Sequence, residues 1–187
     1  MIRFLFKVYF KLKGWKLGNP LPTEITHCVV IAAPHTSNWD FVYGLAAISF
    51  FKMELNYLAK KELFVWPIKN IFINSGGIPV ERKANHRLVD SIIDLFKTRE
   101  RLVLAIPPEG TRKAVKKWKS GFYHIAIGAN VPVAFGYIDY KTKTAGFGPA
   151  LIMSGDKQKD AALIRDFYSK IGAKNPECFN LDAIVID

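Results

Sequence analysis

Cys28, Val29, Val30, Ile31, Ala32 and Ala33 form an uncharged run of small and β-branched residues ending at Pro34, and this run restricts the possible folds more than any other segment. It is too short for an ordinary helix and lacks the polar alternation of a half-wet strand, so it predicts a strand covered on both faces. Strands of that kind belong to parallel sheets packed between helices, where ligands gather at the strands' carboxyl ends. The polar residues that follow, His35, Thr36, Ser37, Asn38, Trp39 and Asp40, therefore emerge where chemistry is expected.

The spacing within this cluster has a local logic. Ser37 or Asn38 can cap a helix whose apolar positions are Phe41, Val42, Leu45, Ala46, Ile48 and Phe50. His35 then lies in the loop and Asp40 in the first turn, from which its carboxylate can fold back onto one imidazole nitrogen. That contact fixes the tautomer, leaves the other nitrogen as an acceptor and stabilises the imidazolium formed when the ring removes a proton. His35 and Asp40 are the candidate general base and its orienting acid. By contrast, His86 and Asp90, four apart on an expected helix, read as an ordinary surface pair.

Turn signals divide the remaining chain into alternating elements. A short strand is expected at residues 56–59, followed by Lys60, Lys61 and the segment 63–73. Gly76 and Gly77 lead into Ile78, Pro79 and Val80. A helix with apolar positions Leu88, Val89, Ile92, Ile93 and Phe96 precedes a strand at 102–106. A helix at 121–129 precedes a strand at 131–138, then a hairpin return at 140–152 and a last helix at 157–171. This order predicts an α/β fold: a single domain with a largely parallel sheet flanked by helices and an antiparallel edge, preceded by an amphipathic N-terminal helix.

Two further loops fall at strand ends. Pro107, Pro108, Glu109, Gly110, Thr111 and Arg112 follow one strand, and Glu81, Arg82 and Lys83 follow another. Each pairs an acid with an arginine, whose planar fork suits a phosphate, and Gly110 permits close backbone approach.

With 187 residues, 50% apolar and 23% charged, the chain has the material for one sizeable core. Its 27 Lys and Arg against 16 Asp and Glu give a net charge of +11, which predicts anionic partners: phosphorylated metabolites, anionic lipid or nucleic acid. Cys28 and Cys178 read as reduced thiols, Cys28 as a small core residue, and no Cys/His cluster has metal-ligand spacing.

Residues 1–20 carry five basic side chains and no acidic one. On a helix Arg3, Lys7 and Lys11 share a face, with Phe4, Leu5, Val8, Leu12 and Trp15 mostly on the other side. This pattern predicts a helix lying in a membrane interface, interrupted too often by charge to span it and without the apolar core of a secretory signal. Packing of the same helix on the body of the domain is the alternative reading.

Taken together, H-x4-D at His35 to Asp40, G-x-x-x-x-R at Gly77 to Arg82 and E-G-T-R at Glu109 to Arg112 resemble the glycerolipid acyltransferase superfamily that includes 1-acylglycerol-3-phosphate acyltransferase. The likeness covers about residues 25–140, and Lys60, Lys61 and the Lys119 to Phe122 stretch share in it. The family's proline-containing fourth block corresponds to Val131, Pro132 and Val133, in abbreviated form. The resemblance implies transfer of a fatty acyl group from acyl-CoA or acyl-carrier protein to a hydroxyl of an anionic lysolipid. No metal or other cofactor is implied.

By match, His35 is the base and Asp40 its partner, while Arg82, Glu109, Gly110, Thr111, Arg112, Lys60 and Lys61 bind substrate. The implied partners are a membrane surface met through the N-terminal helix, an acyl donor that includes acyl-carrier protein, and a lysolipid acceptor, with no nucleic acid. The implied place is the cytoplasmic face of the cell membrane, with residues 1–20 as the interfacial helix and 21–187 as the acyltransferase domain.

The chemistry fits the residues independently. A hydroxyl needs a base to become a nucleophile, whereas a thiolate with a parent pKa near ~8.5 leaves with little assistance. Backbone N–H groups around Gly110 and Thr111 are the expected donors to the oxyanion. The absence of G-x-S-x-G disfavours a serine-hydrolase mechanism, and neither phosphate-loop motif is present. The rival reading is a non-enzymatic basic module for nucleic acid or anionic lipid, in which Arg112, Lys113, Lys116, Lys117 and Lys119 track a phosphate backbone beside a Trp118 stacking platform.

Overall fold

The computed structural model describes residues 2–81 and 85–187, so Arg82 and Lys83 lie outside the described residues, as does the His86 side chain of the expected pair with Asp90. The elements run α1 (Ile2–Leu12), β1 (Lys16–Leu17), β2 (His27–Ala32), α2 (Asn38–Phe50), β3 (Asn56–Lys60), α3 (Lys69–Ser75), β4 (Gly77–Val80) and α4 (Asn85–Thr98). They continue with β5 (Leu102–Ile106), α5 (Gly121–Ala129), β6 (Val133–Asp139), β7 (Thr144–Leu151) and α6 (Lys157–Tyr168). The seven strands form one sheet in the order β1-β7-β6-β2-β5-β3-β4, parallel throughout except for the antiparallel pair β6 and β7. The α/β fold with an antiparallel addition is therefore observed.

The apolar run forms the central strand. β2 pairs in parallel with β5 on one side and β6 on the other, and Cys28, Val29, Val30 and Ile31 are buried. Alternate residues of β2 face opposite layers: Val29 and Ile31 pack with α4, α5 and α6 through Ile92, Phe122 and Ile164, while Cys28 and Val30 pack with α2 through Ile48. Burial pushes the Cys28 thiol up to about 12, which makes it inert.

α2 is apolar nearly all round because it is covered twice. Its Ile48 faces the sheet, whereas Tyr43, Ala46 and Ala47 face α1 and the following turn through Phe10 and Trp15. α1 thus packs on the domain with Phe10 fully buried, and it also turns Phe4, Leu5, Val8 and Leu12 to solvent. Trp15, expected on that outward side, is buried instead, stacked on Tyr43 at 4.0 Å. The short β1 pairs with β7 and was not anticipated from the sequence. α3 lies on the α2 side of the sheet, where Ser75 Oγ meets Tyr57 Oη at 2.6 Å. It ends at Gly76, whose φ of 99° and near contact with Leu55 O leave no room for a side chain.

Candidate active site

β2, β5, β3 and β6 all point their carboxyl ends to one edge of the sheet, which delivers His35, Glu109, Lys60 and Tyr140 to that edge. Ser37 caps α2 in extended conformation: its Oγ accepts from Trp39 N at 3.2 Å, and Asp40 reaches back to the cap backbone. The Asp40 carboxylate is buried, and each oxygen has a distinct set of partners. Oδ2 accepts from Thr36 N and Ser37 N, each at 2.8 Å, and lies 3.3 Å from His35 Nδ1. Oδ1 accepts from the Tyr140 hydroxyl at 2.7 Å.

The arrangement directs His35 Nδ1 toward the carboxylate and leaves Nε2 without a hydrogen bond among the described residues. The imidazole is a quarter exposed, enough to meet a substrate without being flooded by water. Burial, reinforced by the bond to Asp40, pushes the Tyr140 phenol well above its usual range, so it remains a donor. Tyr140 is in turn edge-on to Trp15 at 5.0 Å and to Tyr43 at 5.9 Å. An aromatic wedge therefore connects the N-terminal segment to the acid that orients His35.

Glu109 faces inward. It is 4% exposed, and its Oε2 and Oε1 accept from His35 N at 2.9 and 3.2 Å. Burial pushes its carboxyl up to about 7 against an ordinary 4.5, a rise opposed by the His35 N–H and aided by the nearby Asp40 charge. Between those two values the folded protein holds a proton that the unfolded chain has released, so this group makes stability fall as pH rises from about 4.5 to about 7. The effect is on the order of 3 kcal/mol. Glu109→Gln removes the titration, and its melting temperature relative to wild type is expected to climb between pH 5 and pH 8. A difference constant with pH would remove the assignment.

The Glu109 loop is built by Gly110, at φ 65°, where an added Cβ would lie 2.9 Å from Lys119 Cε. Gly110 N donates to Pro107 O at 3.1 Å and closes the turn. Its N–H is therefore already used, which corrects its expected role as an oxyanion donor and leaves Thr111 with that expectation. Arg112 is exposed and is held by donation from Nε to Asn38 Oδ1 at 3.0 Å, which ties the E-G-T-R loop to the first turn of α2.

Lys60 and Lys61 are exposed at the end of β3, separated from β2 by β5, and Lys61 Nζ lies 3.3 Å from Glu81 Oε1. The structure thus brings His35, Asp40, Glu109 and Arg112 together, with the two lysines farther along the same edge.

Three supporting residues escaped the sequence reading. Tyr140 is one. Asn175 is another: its N donates to Thr36 Oγ1 at 3.2 Å and its Nδ2 to Thr36 O at 2.8 Å, bracing the histidine loop from the C-terminal segment. Tyr168 is fully buried, its hydroxyl 3.1 Å from Ile31 O and 3.0 Å from Gly136 O, where it fastens the end of β2 to the middle of β6. No local spacing signals any of the three. Trp118 is 3% exposed and edge-on to Tyr168, so it is no platform for a nucleobase, which removes the aromatic half of the nucleic-acid reading.

A sequence model of the family described as Acyltransferase matches residues 18–135. Among solved structures, the 1-acyl-sn-glycerophosphate (LPA) acyltransferase PlsC from Thermotoga maritima shares the fold with a TM-score of 0.63 at 18% sequence identity. The alignment covers 92% of this chain and 79% of that one. Comparison with curated proteins finds no match.

Proposed function

The chain belongs to the Acyltransferase family, and from that premise we propose that it transfers a fatty acyl group from acyl-CoA or acyl-carrier protein to a hydroxyl of an anionic lysolipid of the 1-acylglycerol-3-phosphate class. The observation that carries the reading is the 3.3 Å approach of His35 Nδ1 to a buried Asp40, with the imidazole open to substrate at the sheet's carboxyl edge. His35 Nε2 takes the acceptor hydroxyl's proton as the oxygen attacks the thioester carbonyl. The tetrahedral intermediate collapses by breaking the C–S bond, and the thiolate leaves, taking up the proton from the imidazolium. The acyl group passes directly to the acceptor oxygen, so the residues need form no acyl-enzyme.

Asp40 holds the tautomer and balances the imidazolium charge, and Tyr140 and the two backbone donors hold Asp40. Thr111 supplies a donor to the oxyanion. Arg112, Lys60 and Lys61, with Arg82 by its motif, bind the anionic groups of the substrates, and Gly110 gives them close access. Glu109 contributes to binding by fixing the His35 backbone rather than by touching the acceptor. The reaction draws on no metal.

Among the described residues no helix is long and apolar enough to cross a membrane. We place the enzyme on the cytoplasmic face of the membrane, held through the outward stripe Phe4, Leu5, Val8 and Leu12 of α1. The test is to incubate pure protein with labelled acyl-CoA or acyl-carrier protein and a panel of detergent-dispersed lysolipids, reading products by mass. A new diacyl product from an anionic lysolipid is expected. Thioester hydrolysis without acyl transfer to any lipid hydroxyl would reject the reading.

A further inference from the structure

The stretch between β3 and β4 exposes an apolar surface that the proposed reaction does not use. Leu63, Val65, Trp66, Ile68, Ile71 and Ile73 are 37%, 55%, 90%, 38%, 48% and 48% exposed. Soluble surfaces rarely collect so many large apolar side chains within a dozen residues, and such patches mark interaction sites. This one adjoins α1: Arg3 Nη2 donates to Asn74 O at 3.2 Å, which sets the start of α1 beside the end of α3. Helices α1 and α3 lie on the same side of the sheet, each with an apolar outer surface.

The charge around this surface selects its occupant. Lys60, Lys61 and Lys69 flank the α3 segment, and Arg3, Lys7 and Lys11 flank the α1 stripe with Lys52 beside them, against Glu54, Glu62 and Glu81 as the nearby acids. Cations bordering exposed aliphatic residues and a protruding indole match the layered chemistry of an anionic bilayer surface, phosphates outside and acyl chains beneath. We infer that residues 63–73 form a second membrane-inserting element, with Trp66 as its anchor, so that α1 and α3 seat one side of the molecule on anionic lipid. The segment starts from the same sheet edge as His35, so this seating brings a lipid-borne hydroxyl toward the imidazole without lifting the acceptor fully into water.

This inference rests on the membrane part of the reading above and has its own observable. The full chain is mixed with vesicles of phosphatidylcholine and phosphatidylglycerol, the former brominated high in its acyl chains, and tryptophan quenching is compared between wild type and Trp66→Phe. Trp15 and Trp118 are buried and Trp39 is 40% exposed against 90% for Trp66, so Trp66 is expected to carry roughly half or more of the fluorescence lost to quenching, a share absent from the variant.

A double variant, Ile71→Ser with Ile73→Ser, is expected to partition about fivefold less well onto the vesicles with an unchanged melting temperature, because both side chains are half exposed in the fold. An equal absolute loss of fluorescence in vesicle-bound wild type and Trp66→Phe overturns the inference while leaving α1 as the anchor. Wild type that fails to sediment with vesicles overturns the membrane reading and this inference together, but not acyl transfer to detergent-dispersed acceptor. A lipid-free dimer that Trp66→Ser dissociates overturns it in favour of a second copy on this face.

Discussion

His35→Ala is expected to lower kcat for acyl transfer by about 10³-fold, within the range a general base contributes, while leaving acceptor KM within a few-fold of wild type. The reason is the division of labour at this residue. Its backbone N–H is held by Glu109 and survives the substitution, whereas its ring makes its polar approach to Asp40 and otherwise faces the substrate edge. Removing the ring therefore takes away the base without unfastening the loop. Continuous detection of released thiol in the presence of acceptor measures kcat, and a thermal melt matching wild type within a few degrees shows that the fold is intact. Undiminished transfer by the alanine variant would strip His35 of its role and leave the chemistry without a base.

Asp40→Asn is expected to cost about 10²-fold in kcat, again with little change in KM, and the pattern of its hydrogen bonds says why. Oδ2 faces only donors, namely the amides of Thr36 and Ser37 and the imidazole Nδ1–H. The asparagine oxygen must occupy that place, because an amide NH2 there would meet three donors. Its NH2 then faces the Tyr140 hydroxyl, which can rotate to accept. The helix cap is retained and the ring still has an acceptor, but the negative charge that balances the imidazolium is gone. Tyr140→Phe, by contrast, preserves the charge and removes one positioning bond, so its loss in kcat is expected near tenfold or below. An Asp40→Asn enzyme as fast as wild type would show that the carboxylate acts only as a helix cap.

These sites differ in how far they could be read from the chain. The His35 to Asp40 arrangement was legible because its determinants are local: an apolar strand, a capping serine and an acid in the first helical turn all fall within a few residues. The parallel sheet followed from alternation, and the antiparallel return at β7 from its short turn. Tyr140 was not legible, because the bond to Asp40 joins residues a hundred positions apart and nothing beside Tyr140 marks it as anything but a strand-end aromatic.

Glu109 was legible as a member of its motif but not in its orientation, which depends on how the turn closed by Gly110 and Pro107 meets the β2 loop. For α1, periodicity alone could not choose between packing and an exposed apolar surface. The helix does both, because aromatic residues cover two of its faces: Phe6 and Phe10 point inward, and Phe4 points out.

The pairing of β1 with β7 bears on how the molecule assembles. Lys16 stands opposite Thr144, so closing this edge carries a loop-entropy cost that the adjacent β6–β7 hairpin escapes. The packing of α1 on α2 and the stack of Trp15 on Tyr43 join stretches close in sequence and carry no such cost, whereas the contact of Trp15 with Tyr140 shares the cost of the β1–β7 edge. A protein whose β1–β7 edge is unpaired loses the Trp15 ring from behind Tyr140, and with it part of the support for the Asp40 carboxylate.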